Sequence, residues 1–394
     1  MILFFAFILP LSKAGISIMI FLFFLVWLIE GDFKSKYQRV KKSLFLKTII
    51  LFIIVSLVSI LWTENIQNGL DKCLNTAYLF LIIIFATSLK KEYFPSIISA
   101  FLAGMLLSEI IAYGVFFEFW TFKHATVQNP SPFMHHIHYS VFLAFTSILL
   151  LNRIMSNRYS RTEKLFLLLF FISVVGNLFI GIGRTGQVAL VAALFVMSIL
   201  HFRVTVKSFF ISLFLIVSIF STAYNISDNF QKRVLLAKND VEKITNMDFN
   251  SSWGIRVAYW ITTFDYIKQN PFGGGLGDYL SATKETLEKN EYPFINSYTK
   301  DFMKKYHPHN QYLLTLLQLG FLGLLILFTM IYSMVKLNIE DNEIRELKIL
   351  FMTIYFVSCM AEPLLILHFT IGLFIVFAGL FASAENFSKE IKYV

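Results

Sequence analysis

The sequence predicts an all-α, polytopic membrane protein, and three observations carry that reading. Of 394 residues, 57% are apolar and 15% charged, against roughly 45–50% and about 25% in water-soluble chains. Forty-five Phe and 17 Tyr exceed what a water-facing surface would hide. Apolar runs of the length a helix needs to cross a bilayer, roughly 15 to 25 residues, recur along the chain. A soluble enzyme, a disordered chain and a nucleic-acid-binding domain are excluded by this composition.

Twelve such runs are expected, near 1–12, 14–29, 48–62, 73–89, 95–116, 136–152, 165–182, 187–202, 208–224, 311–335, 347–361 and 364–383. The first has no basic stretch before it and no small-residue cleavage pattern after it, so it is read as a retained span rather than a signal peptide. Glu362-Pro363 separates the last two. The chain thus divides into spans 1 to 9 (1–224), one large loop (225–310), and spans 10 to 12 with a tail (311–394).

Charge sets the expected orientation. With the N-terminus cytoplasmic, the loops on that side hold Lys34, Lys36, Arg39, Lys41, Lys42 and Lys47, then Lys90 and Lys91, then Arg153, Arg158, Arg161 and Lys164. Arg203, Lys207, Lys336, Arg345, Lys348, Lys389 and Lys392 complete that side. Short loops on the other side hold only Lys13, Lys72, Lys123 and Arg184. Short loops follow the positive-inside rule, so the formal charge of +9 records topology rather than a nucleic-acid partner. Long loops are exempt from the rule, and the rest of the Lys and Arg lie in 225–310.

That loop falls on the non-cytoplasmic side. Phe230, Val234, Leu235 and Ile244 give it one helical stretch, and residues 255–267 a second, which Asn270-Pro-Phe-Gly-Gly-Gly-Leu-Gly277 ends. Cys73 and Cys359 are far apart in apolar surroundings and suggest neither a disulfide framework nor a zinc site.

Three polar fragments on the loop side stand out. In Gly181-Ile-Gly-Arg184-Thr-Gly186, a tight turn whose Arg reaches headgroups is one reading. Backbone approach to a ligand, with Arg184 as a fork of donors for phosphate oxygens, is the other. Arg256, in Ser251-Ser-Trp-Gly-Ile-Arg256-Val-Ala-Tyr259-Trp260, is either a solvated residue of an amphipathic helix or a second such donor. His307 and His309 flank Pro308 just before the tenth span. Their i, i+2 spacing is poor for a helical metal pair and no carboxylate pair adjoins them, so no metal is expected. An imidazole at that boundary suits proton transfer near neutral pH.

Further polar residues carry less. His135, His136 and His138 open the sixth span; they either anchor the helix or line a site. Glu109 and Glu362 are costly in lipid and should face the bundle interior or water, where either could orient an arginine or an acceptor. Lys232 and Arg233 suit anionic headgroups, and Asp278 suits a helix cap.

Taken in order, these pieces resemble bacterial O-antigen ligases. His309-Asn310, nine residues and Gly320 resemble the family's His-[Asn/Ser/Gln]-x9-Gly signature, and Asn270 to Gly277 is similar to its Asn-Pro-x-x-Gly-x-Gly turn. Arg184 and the Gly-Ile-Arg256-x-x-Tyr-Trp helix resemble its two outer-face arginines. The superfamily also includes O-antigen polymerases and protein O-oligosaccharyltransferases.

The resemblance implies a metal-independent, cofactor-free inverting glycosyltransferase of the bacterial inner membrane, active on its periplasmic face. Its donor would be a glycan on undecaprenyl pyrophosphate, and its acceptor a hydroxyl of lipid A–core or, for a polymerase, of a second lipid-linked glycan. His309, Arg256 and Arg184 would be catalytic; Asn310, His307, Tyr259, Gly275, Gly277 and His136 would contact substrate. A transporter of lipid-linked glycans is the alternative of another class. It should carry ionisable residues at mid-membrane, where this chain has little besides Glu109.

Overall fold

The computed structural model describes residues 1–202 and 205–391, with side chains at 202, 206–209, 211, 212, 215 and 386–391 outside the description. Arg203 and Lys392, and the side chains of Lys207 and Lys389, all counted above for orientation, therefore lie outside it. Eighteen α-helices occur among the described residues. They are α1 (Ile2–Ile8), α2 (Lys13–Glu30), α3 (Phe33–Lys42), α4 (Leu44–Val58), α5 (Ile66–Ala77) and α6 (Phe80–Ser88). Then come α7 (Phe94–Phe116), α8 (His136–Met155), α9 (Arg161–Ile180), α10 (Arg184–Phe202), α11 (Val206–Ile226) and α12 (Asp228–Thr245). The last are α13 (Gly254–Gln269), α14 (Tyr279–Lys289), α15 (Ser297–Lys305), α16 (Gln311–Val335), α17 (Asn342–Ser358) and α18 (His368–Ile391).

Nine stretches among the described residues are long and apolar enough to cross a membrane, so the protein is a polytopic all-helical membrane protein. Three of the twelve expected spans do not reach that standard. α1 has seven residues, about 10 Å at the usual helical rise, and ends before Pro10. α17 spends its first turns on Asn342, Glu343, Arg345, Glu346 and Lys348, which leaves too little apolar length. In α11 only Ile216–Ile226 counts as a continuous described apolar stretch.

Local chemistry sets the helix starts. Ser12, Asn65, Ser227, Asn296 and Asp341 each accept a backbone N–H of the following helix, and Ser160 forms a capping box with Glu163. α8 packs on α9, α10 and α17, α18 on α6, and α4 on α16. Phe101, Phe145, Phe351 and Phe377 interlock at the centre. By contrast Phe21 and Phe24 of α2, and Leu165, Phe166, Leu169 and Ile172 of α9, are exposed, as lipid-facing surfaces must be.

The segment 225–310 folds as α12 to α15. The two helices expected there are α12 and α13; α14 and α15 were not legible. Its small core of Tyr259, Leu287, Tyr292, Ile295 and Met303 runs on into Leu313 of α16, which ties the segment to the bundle.

Candidate active site

The site forms where the starts of α8, α10 and α16 meet the end of α17 and the helices of the large loop. Asn310 caps α16, its Oδ1 accepting from the backbone N–H of Tyr312 and Leu313, while its Nδ2 donates to the Met360 carbonyl at 3.1 Å. Gln311 doubles the joint: its N–H donates to the Cys359 carbonyl and its Oε1 accepts from the Leu365 N–H. These bonds bring Glu362, on the bend after α17, to the two histidines that precede α16.

Glu362 is buried, and its Oε2 accepts from His309 Nδ1 at 2.8 Å, with Oε1 3.9 Å from His307 Nε2. Burial alone would raise the Glu362 carboxyl; the His309 hydrogen bond and the neighbouring imidazoles offset that and hold it below the usual carboxylate range. Burial lowers His307 and His135, although the Glu362 charge pulls both the other way. One ligand atom from each of His307, His309 and Glu362 lies within 4.8 Å of the others. The sequence offers no carboxylate pair near these histidines; the fold brings a single carboxylate to them, from 53 residues further on.

Arg184 and Arg256 join the same region. Arg184 opens α10, with its Nη1 3.9 Å from Asp240 Oδ2 of α12, and it feels the charges of Arg233 and Arg256. Arg256 donates through Nη1 to the Ser252 carbonyl at 2.7 Å. Burial lowers its guanidinium, while Glu362 and Asp240 support the charged form. Glu362 also acts on His135, His136 and His138 at the start of α8. The arginines, the α8 histidines and the His309–Glu362 pair therefore share one electrostatic neighbourhood.

In the Arg184 hairpin the close approach is by protein: the N–H of Gly186 donates to Ser140 Oγ at 3.0 Å, and a Cβ on Gly186 would lie 2.0 Å from the Ser140 carbonyl. Small residues here let α10 seat on α8: a Cβ on Gly183 would likewise fall 2.6 Å from the His136 carbonyl.

Gly275 and Gly277 are likewise filled from within the fold. A Cβ on Gly275 would meet Ser59 and Thr63, and one on Gly277 would meet Asn68 and Gly69. The turn from Asn270 to Gly277 locks into a break in α16, where Gly320 has φ +62° and its N–H neighbour Phe321 donates to the Pro271 carbonyl. Tyr259 is buried and donates to the Tyr306 carbonyl at 2.6 Å, so it braces the strand of chain that carries His307 and His309. Burial pushes its phenol up, so it is a hydrogen-bond donor here. Asn310, as the α16 cap, has its amide committed in the same way.

From the sequence Arg233 suits headgroups, and Asp240 does not stand out. They are seven residues apart, two turns along one face of α12. That spacing was readable; the partner of the face was not. Asp278 does not cap α14 through its side chain; its Oδ2 accepts from the Glu64 N–H at 2.6 Å. Glu109 is buried in α7, as expected for a carboxylate in a span.

Fold and site together define a multi-pass membrane protein with one cluster of arginines, histidines and a carboxylate at one end of its bundle. A family model described as O-antigen ligase matches residues 165–328, a stretch that contains Arg184, Arg256, His307 and His309. The match supports a member of the O-antigen ligase/polymerase superfamily, a family of glycosyltransferase-like enzymes. No curated protein matches it. His136 and Glu362 lie outside the matched stretch, so their place in the cluster is known from the structure alone.

Proposed function

We propose that this protein is an O-antigen ligase of the bacterial inner membrane, which moves a glycan from undecaprenyl pyrophosphate to a hydroxyl of lipid A–core on the periplasmic face. The observation that carries the reading is the His309–Glu362 hydrogen bond, set in the same electrostatic neighbourhood as Arg184 and Arg256. A hydroxyl nucleophile needs a base and a pyrophosphate leaving group needs cations; both are supplied at one end of the bundle.

In this mechanism Nδ1–H of His309 donates to Glu362, which fixes the tautomer with Nε2 as the acceptor. Nε2 takes the proton as the acceptor oxygen bonds to the anomeric carbon. The bond from that carbon to the phosphate oxygen breaks, and its electron pair leaves on the pyrophosphate. Arg184 and Arg256 stabilise the charge that develops there, and Glu362 stabilises the imidazolium. Attack opposite the leaving group inverts the carbon. No step calls on a metal, because His309 and Glu362 act on each other as donor and acceptor.

Reconstituted transfer tests this. Purified protein, undecaprenyl-pyrophosphate glycan and lipid A–core, with a chelator present, should yield glycan on lipid A–core and none with Arg256→Ala. Longer glycan still on the polyprenyl carrier would make the enzyme a polymerase with the same site. Product on neither acceptor overturns the reading, and loss of product with the chelator overturns metal independence.

A further inference from the structure

Three buried polar atoms of this region have no hydrogen-bond partner among the described residues: Arg184 Nη1, Arg256 Nε and Asp240 Oδ2. Arg184 Nη1 and Asp240 Oδ2 face each other at 3.9 Å, beyond hydrogen-bond distance, and Asp240 acts electrostatically on Arg256 as well. Asp240 is only 5% exposed. A buried carboxylate oxygen left without a donor is costly, and a simple ion pair would close to contact.

The helix that carries Asp240 is held in place. Ser227 caps it and also donates to the Phe179 carbonyl at 2.8 Å. Asn229 Nδ2 donates to the Ile180 carbonyl at 3.0 Å, and the Phe230 ring packs on Phe179 and Phe220. These contacts anchor the first turn of α12, and Asp240 lies about three turns further along the same helix.

The two guanidinium atoms need acceptors, which a pyrophosphate supplies. Asp240 does not fit that ligand: an ionised pyrophosphate has no hydrogen to give, and two anions side by side repel. The carboxylate asks for a group that can donate. The sugar joined to the pyrophosphate has such groups, since a hydroxyl donates to a carboxylate while accepting from an arginine, and an acetamido N–H donates likewise.

We propose that Asp240 reads the first sugar of the lipid-linked donor, accepting a hydrogen bond from a hydroxyl or amide N–H of that sugar beside the two arginines. This rests on the donor reading above. Asp240 makes the site prefer sugar-bearing carrier over spent carrier, which helps the product carrier leave after transfer.

The test compares two probes on the full-length protein in detergent by native mass spectrometry: undecaprenyl pyrophosphate, and the same lipid bearing one N-acetylhexosamine. The wild-type protein should favour the sugar-bearing lipid by about tenfold or more, the worth of a hydrogen bond to a charged group. Asp240→Ala should erase the preference while binding bare carrier as well as before or better. Asp240→Asn, close in shape and still an acceptor, should keep part of it, and it stands in should the alanine variant fail to fold.

A preference intact in both variants, with both lipids bound more tightly, would overturn the proposal and make Asp240 a counter-charge only. Equal loss of both lipids would overturn it too and make Asp240 structural. Equal wild-type binding of the two lipids also overturns it, and in each of these cases the donor reading stands. A wild-type protein that binds neither lipid removes the donor reading and this proposal together.

Discussion

Glu362 Oε2 lies 2.8 Å from His309 Nδ1, and that one hydrogen bond ties the bend after α17 to the segment leading into α16. The carboxylate is buried, and the imidazole is partly exposed. An imidazole whose Nδ1–H is held by a carboxylate presents the unprotonated Nε2 on its other side. The pairing is built by backbone geometry, since Asn310 and Gln311 staple the start of α16 to residues 359, 360 and 365.

From that geometry, Glu362→Gln should slow transfer by about 10²-fold or more, because the amide can donate to Nδ1 and favour the wrong tautomer. His309→Gln should cost about 10²–10⁴-fold, the usual worth of a positioned base. The double variant should be no slower than His309→Gln alone, since the two act as a unit. Turnover under saturating donor, with donor binding measured separately, checks this. Multiplied losses in the double variant would show that Glu362 acts apart from His309.

Arg184 and Arg256 are expected to act on the leaving group. Arg256→Ala should lower turnover by about 10²–10³-fold, and Arg256→Lys should recover part of it, because charge is kept and the planar fork is lost. Arg184→Ala should behave alike. Arg233→Ala should weaken donor binding with less effect on turnover, since Arg233 adds charge beside Arg184. Steady-state kinetics with varied donor separates these outcomes; an Arg256→Ala enzyme with normal turnover would remove it from the leaving-group site.

Much of this was readable before the fold was known. Apolar run length gave most spans, and Arg184, Arg256 and His309 were picked out by their place at span ends and in the loop. What periodicity cannot carry is which ends meet. Glu362 reads as a carboxylate turned to the bundle interior or to water, but its partner His309 is 53 residues away in sequence. Gly275, Gly277, Asn310 and Tyr259 each meet protein in this fold, and a turn or an amide built to hold protein has the same composition as one built to hold a ligand. α1 and α17 were read as full spans because composition does not say where a helix stops.

Gly320 is the point where the turn after α13 enters α16, so it should tolerate no side chain. Its φ of +62° disfavours any Cβ, and that atom would fall 2.1 Å from the Pro271 carbonyl. Gly320→Ala should destabilise the fold by about 1–3 kcal/mol at least, the usual scale for such backbone strain, and activity should fall only as far as folded protein does. Thermal unfolding in detergent, set beside specific activity of the monodisperse fraction, tests this; an unchanged midpoint would mean the α16 break is not needed.

Acid should weaken the protein in two steps. His307 and His135 are held below their ordinary value, chiefly by burial. The unfolded chain then binds their protons at higher pH than the folded one, so stability rises with pH across that interval. Their contribution is complete above about pH 6.5, the ordinary histidine value, and declines as pH falls below it. Glu362 is also depressed, by the His309 hydrogen bond and the nearby imidazoles working against burial, so its contribution holds above about pH 4.3 and is lost in stronger acid. The unfolding midpoint should therefore be flat from pH 8 to 7, fall as the pH drops below about 6.5, and fall further below about 4.3. His307→Gln with His135→Gln should make the first fall shallower and leave the second. A midpoint that rises on going from pH 7 to 5 would contradict the assignment, since it would require histidines that gain protons on folding.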